Sequence, residues 1–309
     1  MDHQPPRTIP PDLPPRAVRA VMTWLAQALA SADVLEPRME AEVLLMEVLG
    51  VSRAYLYAHP EQEVSLEHVE RLAALFQRRA LGEPLAYLTG HKEFYGLDFI
   101  VRPGVLIPRP ETELLIERAI ALAEGYPQGT RLAVADVGTG CGAIAVALAL
   151  NLPNAHVYAT DTSDAAIAVA GENVRKYGLE SRVTLLQGDL LEPVPEPLDL
   201  VVANLPYVRS DELPHLQREV KHEPREALDG GPDGLRVIGR FLQRAPGWVK
   251  PRGAVLVEMD HRQAAALASM AREYFPGARV TLYKDLAGLD RVCEVWREES
   301  VGQSRESRE

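Results

Sequence analysis

Asn204-Leu205-Pro206-Tyr207 brings together side chains suited to gripping a planar NH₂ group. A short amide and the neighbouring backbone carbonyls can accept its two hydrogens, a proline stiffens the backbone, and an aromatic ring can pack on its face. The tetrapeptide follows Leu198-Asp199-Leu200-Val201-Val202-Ala203, an apolar run that reads as a buried strand ending in a turn. In open α/β sheets the carboxyl ends of strands are where ligands bind. Few reactions need such a grip. Methyl transfer to an amide or amine nitrogen is one.

A second candidate site precedes it. Asp136-Val137-Gly138-Thr139-Gly140-Cys141-Gly142 ends an apolar strand and opens a helix. Glycines at such a turn let the backbone bend sharply and approach a ligand closely. Taken alone, the turn could hold a dinucleotide or a nucleoside, or simply pack tightly. No Gly-x-x-x-x-Gly-Lys-Ser/Thr loop is present, which argues against a nucleoside triphosphate. Asp161 ends the next strand, where a carboxylate can bind both hydroxyls of a ribose; this suits NAD and S-adenosylmethionine equally. Gly188-Asp189-Leu190 ends the third strand, where Asp189 can accept from an adenine amino group and Leu190 can cover the ring.

Each of these residues has a plain structural reading. Asp161 or Asp189 alone is more often a cap or a turn residue than a ligand contact. The row is worth more than its members: polar groups after four successive strands fall on one sheet edge. A nicotinamide enzyme does not need Asn-x-Pro-Tyr there, whereas a methyltransferase acting on nitrogen does. Cys141 has no histidine placed by sequence to activate it and is not expected to be a nucleophile. Cys293 reads as core. The eight histidines form no metal motif, so no metal is expected.

The elements that must position these residues follow from periodicity. Strands are expected at Leu132–Val137, His156–Thr160, Val183–Gln187, Leu198–Ala203 and Ala254–Glu258, with two late strands at Arg279–Tyr283 and Arg291–Trp296. Helices are expected at Glu111–Ala123, Ala143–Leu150, Ala165–Tyr177, Leu235–Trp248 and Gln263–Tyr274. This alternation predicts an α/β fold with a doubly wound, mostly parallel sheet. Upstream, Arg16 to about Leu81 is helical throughout and reads as a small bundle, with Ser65 as a cap and Gly50 as a stop. The segment Pro84 to Arg102 reads as a β-hairpin between the two. The expected division is a disordered tail at 1–15, a helical domain at 16–83, a hairpin linker at 84–108, a catalytic domain at 109–297 and a disordered tail at 298–309.

Bulk properties narrow the function classes. The chain has 309 residues, 47% hydrophobic and 25% charged, which is ordinary for a globular protein. Its net charge of −11 argues against nucleic acid as the main partner, because polyanion binding is driven by positive charge. Two distant cysteines suit a reducing compartment. No signal sequence opens the chain, and no apolar run approaches the about 20 residues a membrane helix needs. A cytoplasmic, monomeric protein with no membrane contact is expected.

The motifs together resemble the protein-(glutamine-N5) methyltransferases that modify peptide-chain release factors, the HemK/PrmC family. Four stretches carry the likeness, which covers about Arg16 to Arg297. Gly82-Glu83-Pro84-Leu85-Ala86-Tyr87-Leu88-Thr89-Gly90 leads to Phe94-Tyr95-Gly96. Ile107-Pro108-Arg109-Pro110-Glu111-Thr112-Glu113 is the most specific. The glycine turn and the Asn204 tetrapeptide come next. Glu223-Pro224, Ala227-Leu228 and Asp229-Gly230-Gly231-Pro232-Asp233-Gly234-Leu235 close the set.

The resemblance implies a seven-stranded, Rossmann-like S-adenosylmethionine-dependent methyltransferase domain behind a helical domain that seats the substrate. Gly138, Thr139, Gly140, Cys141, Gly142 and Asp161 would hold S-adenosylmethionine, with Asp189 and Leu190 at the adenine and Asn204 touching cofactor and substrate. Asn204, Leu205, Pro206 and Tyr207 would form the catalytic clamp. Phe94, Arg109, Pro110, Glu111 and Thr112 would join them on the substrate side. The substrate implied is the glutamine of a Gly-Gly-Gln motif in a release factor. Two positions depart from the family pattern: Leu205 stands where proline is usual, and Glu258-Met259-Asp260 where Glu-Ile-Gly is usual.

Three rivals remain at this level. Asn-Leu-Pro-Tyr also suits an RNA adenine methyltransferase, although such enzymes display basic surface. A sister enzyme acting on a ribosomal-protein glutamine is closer. A cofactor-binding scaffold without turnover rests only on Leu205.

Overall fold

The computed structural model describes residues 16–298; the tail readings at 1–15 and from 299 onward lie outside the described residues. The chain divides into two compact units. One comprises residues up to Gly90 together with Gln217–His222, and the other His91–Leu216 with Glu223 onward.

The first unit is helical: α1 (Val18–Ser31), α2 (Pro37–Leu49), α3 (Arg53–Ala58), α4 (Leu66–Ala80) and α5 (Leu85–Thr89). Its core joins Val21, Leu25 and Leu29 of α1 to Leu44 and Leu45 of α2 and Leu72 and Phe76 of α4. The stops and caps expected from sequence are present. Gly50 ends α2 in the left-handed conformation, and Ser65 accepts the His68 N–H at 3.2 Å to open α4. Arg79 is buried on α4 and paired with Glu40 at 2.6 Å; it also meets Glu219 of the Gln217–His222 segment. Short α3 and α5 escaped the periodicity reading because one or two turns cannot display a 3.6-residue repeat.

The segment read as a hairpin from Pro84 therefore begins as a helix. Pairing is confined to β1 (His91–Phe94) and β2 (Leu97–Ile100), joined by Tyr95 and Gly96, both at positive φ. The hairpin is fastened within the second unit: Asn173 donates to the Ile100 carbonyl at 2.9 Å and accepts its N–H at 2.8 Å.

Then follow α6 (Glu113–Ala123), β3 (Leu132–Val137), α7 (Ala143–Asn151), β4 (Ala155–Asp161), α8 (Asp164–Lys176), β5 (Val183–Gln187) and β6 (Leu198–Ala203). The short strands β7 (Val208–Arg209) and β8 (Asp229–Gly231) pair with each other. They precede α9 (Arg236–Arg244), β9 (Val249–Glu258), α10 (Ala264–Tyr274), β10 (Arg279–Lys284) and β11 (Asp290–Trp296). Helix α9 is shorter than its periodicity suggests, because Pro246 forces a 3₁₀ turn at Ala245–Gly247.

The seven main strands lie in the order β10-β11-β9-β6-β3-β4-β5, parallel except for β11 against both neighbours. β3 and β6 are buried at every residue, the mark of a parallel sheet covered on both faces. Ala133, Ala135 and Val137 of β3 share a core with Ile238 and Phe241 of α9 and Leu267 of α10. The alternate residue Asp136 turns to the other face, toward the start of α7. From β3 the chain winds outward to β4 and β5, then returns to β6 on the other side of β3. The reversal between β3 and β6 opens a crevice at their carboxyl ends. No helix among the described residues is long and apolar enough to cross a membrane.

Candidate active site

The crevice is a cleft of about 230 Å³ built entirely within the second unit. Gly138 and Gly140 after β3, Asp161 after β4, Asp189 and Leu190 after β5, and Asn204, Leu205 and Pro206 after β6 all line it. The row expected on one sheet edge is thus a single wall. Thr139, Cys141 and Gly142 lie behind that wall. Thr139 donates to Asp136 at 2.6 Å, Cys141 is buried with its thiol pushed up to about 12 by desolvation, and Gly142 opens α7 against Ala170.

Asp161 ties the cofactor side together. One carboxylate oxygen accepts Gly140 N–H at 3.0 Å and the other Ser163 N–H at 2.9 Å, so each keeps a lone pair for a further donor. Burial raises its pKa, and those backbone donors oppose the rise. Asp189 is held through one oxygen by Arg240 and by Arg244 at 3.1 Å. Leu190 sits at φ 56°, a costly conformation for a leucine, and buries its side chain beneath the cleft.

The cradle fits S-adenosylmethionine. Gly140 faces open space where a Cβ would stand, and a Cβ on Gly138 would press on the Leu205 side chain at 3.1 Å. A backbone can therefore approach a ligand closely at the turn. Asp161, Asp189 and Glu226 outnumber Arg240 on the cleft wall, a balance suited to a cationic sulfonium.

The tetrapeptide is held differently. Asn204 Nδ2 donates to Thr112 Oγ1 at 3.1 Å, while its Oδ1 and the Leu205 carbonyl have no hydrogen-bond partner among the described residues. The Leu205 side chain is buried against Gly138, so leucine serves where proline is usual by packing under the turn. Tyr207 donates its hydroxyl to Glu258 at 3.1 Å, and its carbonyl accepts Gln263 Nε2 at 2.9 Å. Burial and the Glu258 charge push the Tyr207 phenol far above its usual range. Glu258, at the end of β9, is fully buried; desolvation raises its pKa while the hydroxyls of Thr112 and Tyr207 lower it.

The second departure from the family pattern now has a role. Asp260 caps the turn that carries Gln263, and its own N–H donates to Gln263 Oε1 at 3.1 Å. The Asp229–Gly234 loop passes so close to the tetrapeptide that a Cβ on Gly234 would lie 2.3 Å from the Tyr207 carbonyl.

The remaining substrate-side expectations are spread out. Phe94 is buried edge-on to Phe99 in the hairpin. Arg109 pairs with buried Glu223, and Pro110 and Glu111 are exposed. Thr112 is buried beneath Asn204. Sequence reasoning gave no role to Glu258, Gln263 or Glu223, which meet their partners only through the fold. Gly104–Leu106, which also line the cleft, were likewise unread, whereas Pro224 and Ala227 entered through the family likeness without an assigned role.

A doubly wound sheet with this row of groups at its switch point defines an S-adenosylmethionine-dependent methyltransferase. The hMettl16 catalytic domain shares the fold, with a TM-score of 0.54 at 17% identity over 72% of this chain and 81% of that one. Residues 20–90 match the PrmC N-terminal domain and residues 112–245 the methyltransferase small domain. The release factor glutamine methyltransferase of Moorella thermoacetica is 44% identical over 283 residues, 91% of this chain and 99% of that protein. That of Geobacter sulfurreducens is 41% identical over 278 residues, 89% of this chain and 95% of that protein. The chain belongs to the family of release factor glutamine methyltransferases.

Proposed function

We propose that this enzyme methylates the side-chain amide nitrogen of the glutamine in the Gly-Gly-Gln motif of peptide-chain release factors. One observation carries the reading. Asn204 and Leu205, adjacent in the chain, both line the cleft, and among the described residues neither Asn204 Oδ1 nor the Leu205 carbonyl has a hydrogen-bond partner. A primary amide offers two N–H donors in one plane.

Bound S-adenosylmethionine supplies a methyl group activated by its sulfonium. An amide nitrogen is a poor nucleophile because its lone pair is delocalised into the carbonyl. Asn204 and Leu205 accept its two hydrogens, and these bonds strengthen as the nitrogen gains positive charge in the transition state. Pro206 stiffens the clamp, and Tyr207, anchored through Glu258, steadies the plane of the amide. Holding the reactants in line in this way can supply about 7–11 kcal/mol. The methylated cation is acidic enough to lose its proton without a dedicated base. The helical unit, read from sequence as residues 16–83, is the part we assign to seating the release factor, which places the enzyme in the cytoplasm.

The test offers enzyme and S-adenosylmethionine to a purified release factor, a ribosomal-protein mixture and ribosomal RNA. A one-methyl mass gain on the release factor alone, abolished when its target glutamine is changed to asparagine, supports the reading. Methyl gain on RNA or on a ribosomal protein instead would overturn it.

A further inference from the structure

We infer that Glu223 is a positioning residue for the methyl donor: its carboxylate ties together two segments that line the cofactor cleft and holds them ready for the ligand. Gly104–Leu106 line the cleft from one part of the chain, and Pro224, Glu226 and Ala227 from another. Neither segment belongs to the main sheet or to an α-helix. Without a backbone ladder, such segments keep their place through specific contacts.

Glu223 makes one contact for each. It immediately precedes Pro224, whose fixed φ of −62° stiffens the join. Its carboxylate reaches a segment 116 residues away, where Oε2 accepts the Ile107 N–H at 3.1 Å, one residue beyond Leu106. Oε1 pairs with the Arg109 guanidinium. Both donors are fixed, since a backbone N–H cannot turn round and arginine keeps its proton. The Glu223 side chain is 1% exposed, so water offers neither oxygen a substitute partner. Arg109, placed on the substrate side by the family likeness, is the solvent-facing half of this latch. Segments already in place need not be ordered when a ligand arrives, which lowers the cost of binding.

Glu223→Ala should weaken S-adenosylmethionine binding roughly tenfold by calorimetry, with kcat at saturating cofactor falling less than the affinity does. Glu223→Gln keeps the shape and can still accept from Ile107 but loses the charge that holds Arg109. Its affinity should lie between those of wild type and Glu223→Ala, whereas a packing role alone would leave it at the wild-type value. A second readout uses no ligand. Hydrogen exchange followed by mass spectrometry should quicken in Glu223→Ala at both residues 104–109 and residues 224–228, because each segment loses its tie. Quickening at 224–228 alone, or wild-type affinity in Glu223→Gln, would overturn the inference. Should Glu223→Ala not fold, the near-isosteric Glu223→Gln carries the affinity measurement. Calorimetry and exchange need no methyl acceptor, so their outcome is separate from that of the glutamine reading.

Discussion

The glycine turn after β3 and the tetrapeptide after β6 share one cleft but are held by different means. Around the turn the bonds are mostly local: Thr139 to Asp136 spans 3 residues and Ser163 to Asp161 spans 2, with Gly140 to Asp161 reaching 21; Asp189, further along the wall, is held from afar, by Arg240 and Arg244 across 51 and 55 residues. Around the tetrapeptide they are distant. Asn204 meets Thr112 across 92 residues, Tyr207 meets Gln263 across 56 and Glu258 across 51. The turn is shaped largely by its own sequence and the adjacent strand. The clamp is shaped by elements from three other parts of the chain, so transfer should be separable from cofactor binding.

The sharpest way to break that comparison is Asn204→Ala. In the proposed mechanism it removes an acceptor that strengthens in the transition state, so kcat should fall about 10³-fold, the upper range for one such group. Cofactor affinity by calorimetry should change little; an equal loss in both would merge the two regions into one.

Gly234→Ala tests the remote support. Its Cβ would collide with the Tyr207 carbonyl and Gln263 Nε2, both at 2.3 Å, and φ is 74°. The clamp must shift, and a displacement of this kind costs kcat roughly 10²-fold. Stopped turnover with intact cofactor binding is the expected pattern.

Gly138→Ala probes the other side. A Cβ at φ 76° is strained and meets Leu205 at 3.1 Å. With about 1–2 kcal/mol of backbone cost, cofactor binding should weaken roughly tenfold. A change in kcat with unaltered cofactor affinity would reverse the assignment.

The smallest effect concerns stability. Asp136 is fully buried, both its donors sit on one oxygen, and desolvation pushes its carboxyl from 3.8 to about 7. Between those values the folded chain binds more protons than the unfolded one. Stability therefore falls as pH rises through that window, and the loss is complete above it. Asp136→Asn removes the titration. Its melting temperature relative to wild type should be higher at about pH 8 than at about pH 5, by a few degrees. A pH-independent difference would show that this carboxyl ionises at its ordinary value.

Much was legible in the sequence because parallel strands buried on both faces are continuous apolar runs. Leu132–Val137, Val183–Gln187 and Leu198–Ala203 end where they were expected to end. Strand alternation then leads to one edge, and glycine, aspartate and asparagine at successive strand ends can be placed on it without coordinates. The helix after Pro84 was not legible, since five residues carry no period.

Sequence by itself determined the sheet and the row of glycine, aspartate and asparagine residues at its carboxyl edge. Side-chain type and strand periodicity are local properties, and these features need nothing more. Only the tertiary structure decided that Thr112 lies under Asn204, that Glu258 anchors Tyr207, and that Leu205 packs beneath Gly138. Those pairings join residues far apart in the chain, and their bonds form only when burial removes water as the competing partner.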